Sequence, residues 1–125
     1  MGLRLGFVPD LARKIYAGAD LFLMPSKSEP CGLSQMVALR YGTLPIVRET
    51  GGLKDSVTDS GDGEGNGFTF KTYDAYDMLG AIYRAVDAYN NKEYWPTLVE
   101  RALRCDMSWG KSANEYIKMY KSLLK

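Results

Sequence analysis

The residues best suited to bind a polar ligand lie in one stretch of the chain, from Ser26 to Thr43. Glu29 offers a carboxylate in a polar turn, and Gly32 opens the approach to the backbone because it has no Cβ. A helix-period apolar pattern follows, so the N–H groups from Gly32 to Gln35 lack partners within the helix and favour an anion. An acid beside free N–H donors suits a ligand that carries hydroxyl groups on one side and phosphate on the other.

Several other kinds of chemistry have little support in the sequence. The chain has no histidine, which removes the commonest general base and metal ligand. Cys31 and Cys105 are interpreted as reduced thiols, and Cys31 as a small packing residue rather than a nucleophile, because no partner base is visible. The segment from Asp62 to Gly67 resembles the start of a calcium loop, but Tyr73 stands where that loop needs a bidentate acid. No metal site is therefore predicted.

Composition narrows the class of protein further. A chain of 125 residues predicts one domain, over 1–125, with a substantial core. The net charge of +1 gives no electrostatic reason to expect nucleic acid or an anionic membrane as a partner. No apolar run is long enough to cross a bilayer, and no signal peptide is visible. We therefore expect a cytoplasmic protein.

Short apolar runs bounded by turn residues predict the strands. They lie at Leu3–Phe7, Asp20–Met24, Leu44–Val47 and Phe68–Phe70, and the second is apolar enough to be covered on both faces. Helical patterns separate the first three, which predicts an α/β fold with a parallel sheet of three to four strands and crossover helices. Ligands bind beyond the carboxyl ends of such strands. Phe7, the residues 26–34 and the residues 48–52 all fall there.

The helices are predicted from caps and apolar stripes. Asp10 is predicted to cap the first helix, Asp74 and Ser108 two later ones, and the section 74–125 is expected to be helical. The residues 58–67 predict a flexible surface loop. The stripes predicted to face the core are Ala75, Met78, Leu79, Ile82, Val86 and Tyr89, then Tyr94, Leu98, Val99, Ala102 and Leu103, then Tyr116, Ile117, Tyr120, Leu123 and Leu124.

Three blocks of sequence carry a specific resemblance. They are Glu29-Pro-Cys-Gly-Leu-Ser-Gln35, Arg40-Tyr-Gly-Thr-Leu-Pro45 and Val47-Arg-Glu-Thr-Gly-Gly-Leu53. Together they resemble the glycogen and starch synthases. Members of that family are retaining glucosyltransferases of the two-domain GT-B architecture. The resemblance implies transfer of glucose from ADP-glucose, or from UDP-glucose, to an α-1,4-glucan, with no cofactor.

The resemblance also implies roles for single residues. Glu29 matches the family glutamate that faces the donor glucose, which makes it the candidate catalytic residue. The matching positions for substrate binding are Phe7, which would stack on the nucleotide base, Cys31, Gly32, Leu33 and Ser34 at the helix entry, and Thr50 and Gly51 in the second loop. Related families carry a second glutamate where this chain has Val37, so a carboxylate for the ribose is not expected from that position.

The length of the chain raises an alternative to the enzymatic function. Family enzymes are several times longer, and the chain resembles their last part. It would begin inside the second of their two domains and form half of that Rossmann-like domain. The acceptor-binding domain and the cationic side chains that neutralise the diphosphate would lie outside it. The alternative to a donor-site portion is a folded, catalytically inactive fragment or a self-assembling scaffold. A homo-oligomer that forms through an exposed sheet edge is also expected.

Overall fold

Three parallel strands form one sheet in the computed structural model, which describes residues 2–124. The strands are β1 (Leu21–Met24), β2 (Leu44–Arg48) and β3 (Phe68–Phe70). The helices are α1 (Pro9–Gly18), α2 (Ser34–Arg40), α3 (Gly51–Ser56), α4 (Ala75–Asn90), α5 (Trp95–Arg104) and α6 (Trp109–Leu123). This is the predicted α/β fold with a parallel sheet. Met1 and Lys125, the two ends of the predicted domain, lie outside the described residues.

The sheet order β1-β2-β3 follows the order of the chain. Leu21 pairs with Leu44, and Ile46 pairs with Phe68, so the carboxyl ends of the strands meet at one edge. The central strand β2 is buried along almost its whole length, as expected for a parallel strand between two others. β1 differs from its prediction, because Leu23 is 42% exposed and one face of the strand is open.

The predicted strand Leu3–Phe7 is wrong. The segment before α1 is irregular, and Leu3 and Phe7 are 81% and 93% exposed. No described strand pairs with it, so its backbone has no ladder to join. The cap predicted at Asp10 is also wrong, because α1 begins at Pro9 and Val8 holds the cap position. Proline at the first helical position explains the earlier start, since its missing N–H would be unpaired there anyway.

The core lies on both faces of the sheet. One cluster joins β2 and β3 to three helices, and a smaller one lies under α3. The larger cluster contains Leu39, Leu44, Ile46, Phe68, Phe70, Ala81, Ala85, Ala88, Leu98 and Ala102, and the smaller contains Val47, Leu53 and Val57. Burial of this apolar surface is the main free energy that holds the sheet and helices together.

The inner face of α4 differs from the predicted stripe. Alanines at 81, 85 and 88 are buried, whereas Leu79 and Val86 are exposed. Because alanine side chains are small, α4 can lie close to β3. The close packing on this face is more favourable than burial of the larger apolar residues on the neighbouring stripe. The cap at Asp74 is confirmed, because its carboxylate accepts from the N–H groups of Tyr76 and Asp77.

The prediction that the apolar stripe of the last helix, α6, faces the core is wrong. No residue of α6 is buried, and its apolar stripe, including Tyr116 and Ile117, is about half exposed or more. The cap at Ser108 is confirmed by its bond from the N–H of Lys111. Among residues 2–124, no helix combines the length and apolarity needed to cross a membrane.

Candidate functional site

The candidate site lies beyond the carboxyl ends of β1 and β2. The loop after β1 holds Glu29 and runs into α2, and the loop after β2 holds Thr50 and runs into α3. The two loops are in direct contact, because the N–H of Gly52 donates to the carbonyl oxygen of Glu29 over 3.1 Å. We call the residues 29–32 the first turn and the residues 50–52 the second turn. The predicted convergence of these two stretches is therefore present in the structure.

Glycine is required where the two turns meet. A Cβ on Gly51 would lie 2.2 Å from the carbonyl oxygen of Glu29, and one on Gly52 would lie 2.0 Å from that of Cys31. Both distances are well below 3.0 Å, a separation that real Cβ atoms essentially never show. Gly51 also has a φ of +45°, a conformation that glycine adopts most easily. The backbones can approach this closely only because neither residue carries a side chain.

Glu29 is half-buried beside Gly32 in the first turn. Its Cγ lies 3.1 Å from the place where a Cβ of Gly32 would stand, and Gly32 has a φ of +69°. Within residues 2–124 the carboxylate of Glu29 has no hydrogen-bond or ion-pair partner. An acid that is partly desolvated but unpaired is available to accept hydrogen bonds from a ligand, for example from sugar hydroxyls.

The entry of α2 supplies N–H donors next to that acid. Leu33 holds the cap position, Ser34 begins the helix, and no described side chain caps it. The first backbone hydrogen bond of α2 joins the N–H of Val37 to the carbonyl oxygen of Leu33 at 3.0 Å, so the N–H groups before Val37 lack helical partners. Cys31 and Leu33 are exposed. The helix has only seven residues, so its donors act mainly as individual hydrogen-bond groups.

Thr50 lies half-buried at the start of the second turn. Its N–H donates to the carbonyl oxygen of Arg48 over 2.8 Å, and its side chain does not cap α3. The structure thus brings together seven of the eight predicted site residues, namely Glu29, Cys31, Gly32, Leu33, Ser34, Thr50 and Gly51.

Phe7 is not brought into this group by any observed contact. Its ring is 93% exposed, and it makes no ring contact with another described residue. Phe7 does not lie at the carboxyl end of a strand, because the segment before α1 forms none. Its role as a stacking residue stays a prediction that rests on the resemblance alone.

Two polar residues that support the site were not predicted from the sequence. The amide nitrogen Nε2 of Gln35 donates to the carbonyl oxygen of Gly32 at 2.8 Å and to Oγ of Ser56 at 3.0 Å. Ser56 in turn donates from Oγ to the carbonyl oxygen of Gly52 at 2.6 Å. A glutamine placed among the apolar positions of a short helix is the signal that could have pointed to this bond network.

Arg48, at the end of β2, holds the loop after β1. Its guanidinium donates from Nε to the carbonyl oxygen of Ser26 at 3.0 Å, and it also bonds the carbonyl oxygen of Lys27. The same group lies 5.9 Å from the ring centre of Tyr73. The guanidinium of Arg48 is therefore used to hold the backbone of the loop after β1. No group of three or more His, Cys, Asp or Glu side chains suited to a metal ion occurs in the part of the chain that the structure describes.

Comparison with known proteins shows the family to which the chain belongs. A family model described as glycosyl transferases group 1 matches residues 4–97. A glycogen synthase of Bacillus cereus (strain ATCC 10987 / NRS 248) is 56% identical over 97% of this chain, and one of Geobacillus stearothermophilus is 56% identical over all of it. In both cases the chain spans 26% of the relative's length.

Two solved structures share the fold. The catalytic domain of starch synthase IV from Arabidopsis thaliana, bound to ADP and acarbose, matches 94% of this chain and 25% of its own length, with 46% identity and a TM-score of 0.85. Sucrose-phosphate synthase from Thermosynechococcus elongatus matches 87% of this chain and 26% of its own length, with 25% identity and a TM-score of 0.61. The chain belongs to the group 1 glycosyl transferases, and within that family it resembles the glycogen and starch synthases.

Proposed function

We propose that this chain forms the nucleotide-sugar side of the active site of a retaining glycogen or starch synthase. In the whole enzyme, glucose would pass from ADP-glucose to the end of an α-1,4-glucan. The observation that carries the proposal is the contact between the two turns, which places an unpaired carboxylate, free N–H groups and a side-chain-free backbone surface at one edge of the sheet. The ADP bound to the similar starch synthase IV supports a nucleoside diphosphate as the ligand.

Each residue has a distinct part in this proposal. The carboxylate of Glu29 orients the glucose by accepting bonds from its hydroxyls, and its negative charge stabilises the positive charge that develops on the sugar ring. The N–H groups at the entry of α2, from Cys31 to Ser34, bind the diphosphate. Thr50 and Gly51 line the opposite wall. Phe7 stacks on the base in the whole enzyme, where further parts of the protein would fix its position.

Binding of ADP by the 125-residue chain tests the site. Stacking and a few N–H contacts offset the cost of association only in part, so we expect a Kd of about 1 mM, or about −4 kcal/mol. A titration followed by amide NMR shifts should move the signals of Gly32 and Gly51. The signal of Gly80, in the middle of α4, should stay in place. Shifts confined to α4, α5 and α6 would contradict the site assignment.

The same titration with UDP addresses the choice of nucleotide. If the site prefers adenine, as the ADP-bound relative suggests, ADP should move the two glycine signals at a lower concentration than UDP does. Equal concentrations would indicate that this chain recognises the diphosphate alone and that base recognition belongs elsewhere in the enzyme.

We expect the chain alone to be catalytically inactive. Loss of one preorganised hydrogen-bond donor at a site of developing charge commonly lowers a rate by about 10²–10³. By the resemblance, the cations that neutralise the diphosphate would lie outside this chain. The assay measures release of ADP from ADP-glucose in the presence of glycogen. Glucan extension by the purified chain would contradict this expectation. A chain that binds no ADP and has no activity would instead favour the alternative of an inactive fragment or scaffold.

A further inference from the structure

We propose that Gln35 is a positioning residue that joins the two turns and fixes their spacing for the ligand. The inference rests on the proposed function, because it assumes that the ligand contacts both turns. Gln35 itself is fully buried and cannot touch a ligand. Its effect must therefore pass through the backbone groups that it holds.

The side chains of Gln35 and Ser56 form a continuous bridge. The bridge begins at the carbonyl oxygen of Gly32, passes through Nε2 of Gln35 (2.8 Å) and Oγ of Ser56 (3.0 Å), and ends at the carbonyl oxygen of Gly52 (2.6 Å). Nε2 also lies 3.5 Å from the carbonyl oxygen of Cys31. Both ends are thus backbone carbonyls of the proposed ligand-binding turns. Every link is within hydrogen-bond distance, so a movement of one turn is transmitted to the other.

The orientation of the amide is set by its surroundings. Three acceptors surround Nε2, whereas Oε1 is buried and has no hydrogen-bond partner among the described residues. Oε1 lies 2.7 Å from the place where a Cβ of Gly32 would stand. A buried polar atom without a partner is unfavourable. The hydrogen bonds of Nε2, which hold the first turn against the second, offset this cost.

This bridge matters because the two turns are otherwise joined by few polar contacts. The direct backbone bond runs from the N–H of Gly52 to the carbonyl oxygen of Glu29. The bridge adds a second connection at the other end of the first turn, so the two together resist rotation as well as separation. A misplacement of about 1 Å in a positioning group can cost up to about 100-fold in rate. Spacing between the turns is therefore a property that the chain must control.

The main competing explanation is that Gln35 contributes only to stability. Thr43 provides a matched comparison, because it is also buried and its Oγ1 bonds two backbone carbonyls, those of Tyr16 at 2.5 Å and Ala19 at 2.8 Å. These carbonyls belong to α1 and to the residue after it, not to either turn. Gln35→Leu and Thr43→Val each remove a buried polar group while keeping a similar side-chain volume.

The experiment compares the two variants in the 125-residue chain by amide NMR and by ADP titration. We expect both to lower the melting temperature. Gln35→Leu should shift the amide signals of both turns, at Gly32 and at Gly52, and weaken ADP binding by about three- to tenfold, whereas Thr43→Val should leave these signals and the Kd unchanged. Equal effects of the two variants, or unchanged Gly52 signals in Gln35→Leu, would overturn the proposal.

Ser56→Ala provides a second variant if Gln35→Leu does not fold. It removes the middle of the bridge and keeps the bond from Gln35 to Gly32, so the Gly52 signal should shift more than the Gly32 signal. An unchanged Gly52 signal would contradict the bridge. The amide signals decide this proposal even if the unaltered chain binds no ADP, and that result would count against the proposed function alone.

Discussion

At the scale of single residues, the candidate site depends more on missing side chains than on present ones. Gly51 and Gly52 let two backbones touch, and Gly32 turns the chain into α2 with a φ of +69°. Glu29 contributes the only carboxylate of the first turn. The resemblance identified Glu29, Gly32 and Gly51 as candidate site residues from the sequence, whereas Gly52 was only part of a matching block. It did not reveal that Gln35 and Ser56 connect them. A glutamine at a buried helix position shows that a polar partner is needed, but the spacing of residues does not show which distant residue provides it.

Replacing Gly32 by alanine tests this reading of the first turn. The variant places a Cβ 2.7 Å from Oε1 of Gln35 and forces alanine into a left-handed conformation. We expect a loss of about 1–3 kcal/mol in the free energy of unfolding, together with loss of ADP binding. Denaturation by urea measures the first effect, and the ADP titration measures the second.

Gly80→Ala is the matched control for that variant. Gly80 lies within α4, and a Cβ there would meet nothing within 4 Å. Since alanine favours the helix, the control should gain up to about 1 kcal/mol. A Gly32→Ala chain as stable as the unaltered one would show that the first turn tolerates a side chain and that the strain argument is wrong.

At the scale of elements, prediction from the sequence succeeded where the signal was local. β2 and β3, the caps at Asp74 and Ser108, and the order of the elements from α1 onward were predicted correctly. Apart from the absent strand at Leu3–Phe7 and the cap at Asp10, the errors concern burial. An apolar stripe shows that a face can be buried but not which partner covers it, so the exposed face of α6 and the alanine face of α4 could not be predicted.

The loop over 58–67, predicted as a flexible surface loop, is joined to the sheet by several hydrogen bonds. Asp59 holds it to the sheet by accepting bonds from the N–H groups of Gly61 at 2.9 Å and Thr69 at 2.7 Å and from Arg84 at 2.8 Å. Asn66 adds a bond from its amide to the carbonyl oxygen of Ser56 at 3.1 Å. Gly67 is buried against Pro45, which leaves no room for a side chain. Gly65 and Gly67 thus allow close packing of the loop, because a Cβ at either position would lie within 3 Å of backbone atoms.

These bonds predict a dependence of stability on pH. Burial of Asp59 raises its pKa, but the bonds from Thr69, Gly61 and Arg84 outweigh burial, and the pKa of the carboxyl lies below its ordinary value. A carboxyl whose pKa is lower in the folded state stabilises the fold above its unfolded pKa, about 3.9, and loses that effect as the pH falls through the folded value. The melting temperature of Asp59→Asn should therefore lie below that of the unaltered chain at neutral pH, and the gap should narrow below about pH 4.

Arg84→Gln separates the contributions to that effect. This variant removes the exposed ion pair with Asp59 but keeps both backbone donors to the carboxylate. Its melting temperature at neutral pH should therefore lie closer to that of the unaltered chain than to that of Asp59→Asn. Thermal melts followed by circular dichroism between neutral and acidic pH measure all three chains. A gap between the unaltered chain and Asp59→Asn that stays constant down to the most acidic sample would contradict the assignment of a lowered pKa to Asp59.

At the scale of the whole molecule, much apolar surface is exposed. The segment before α1 and the face of α6 both present large apolar side chains, among them Leu5, Trp109 and Leu123, at 73% to 89% exposure. Large apolar side chains exposed in this number on a folded chain favour association. β1 adds a sheet edge, because β2 is its single strand partner among the described residues.

We expect the 125-residue chain to self-associate through the free edge of β1. Unpaired N–H and C=O groups along an edge strand favour pairing with another chain, and the same edge on two copies is self-complementary about a two-fold axis. Leu23, exposed on β1, would be covered in such a pair. Leu23→Lys should block pairing, because the charge of the lysine cannot be buried between two strands. Leu79→Lys, on the exposed face of α4, is the control and should leave pairing unchanged. Sedimentation equilibrium over a wide range of concentration distinguishes the three chains, and a single monomer mass for the unaltered chain at its highest concentration would show that the edge of β1 is protected within one molecule.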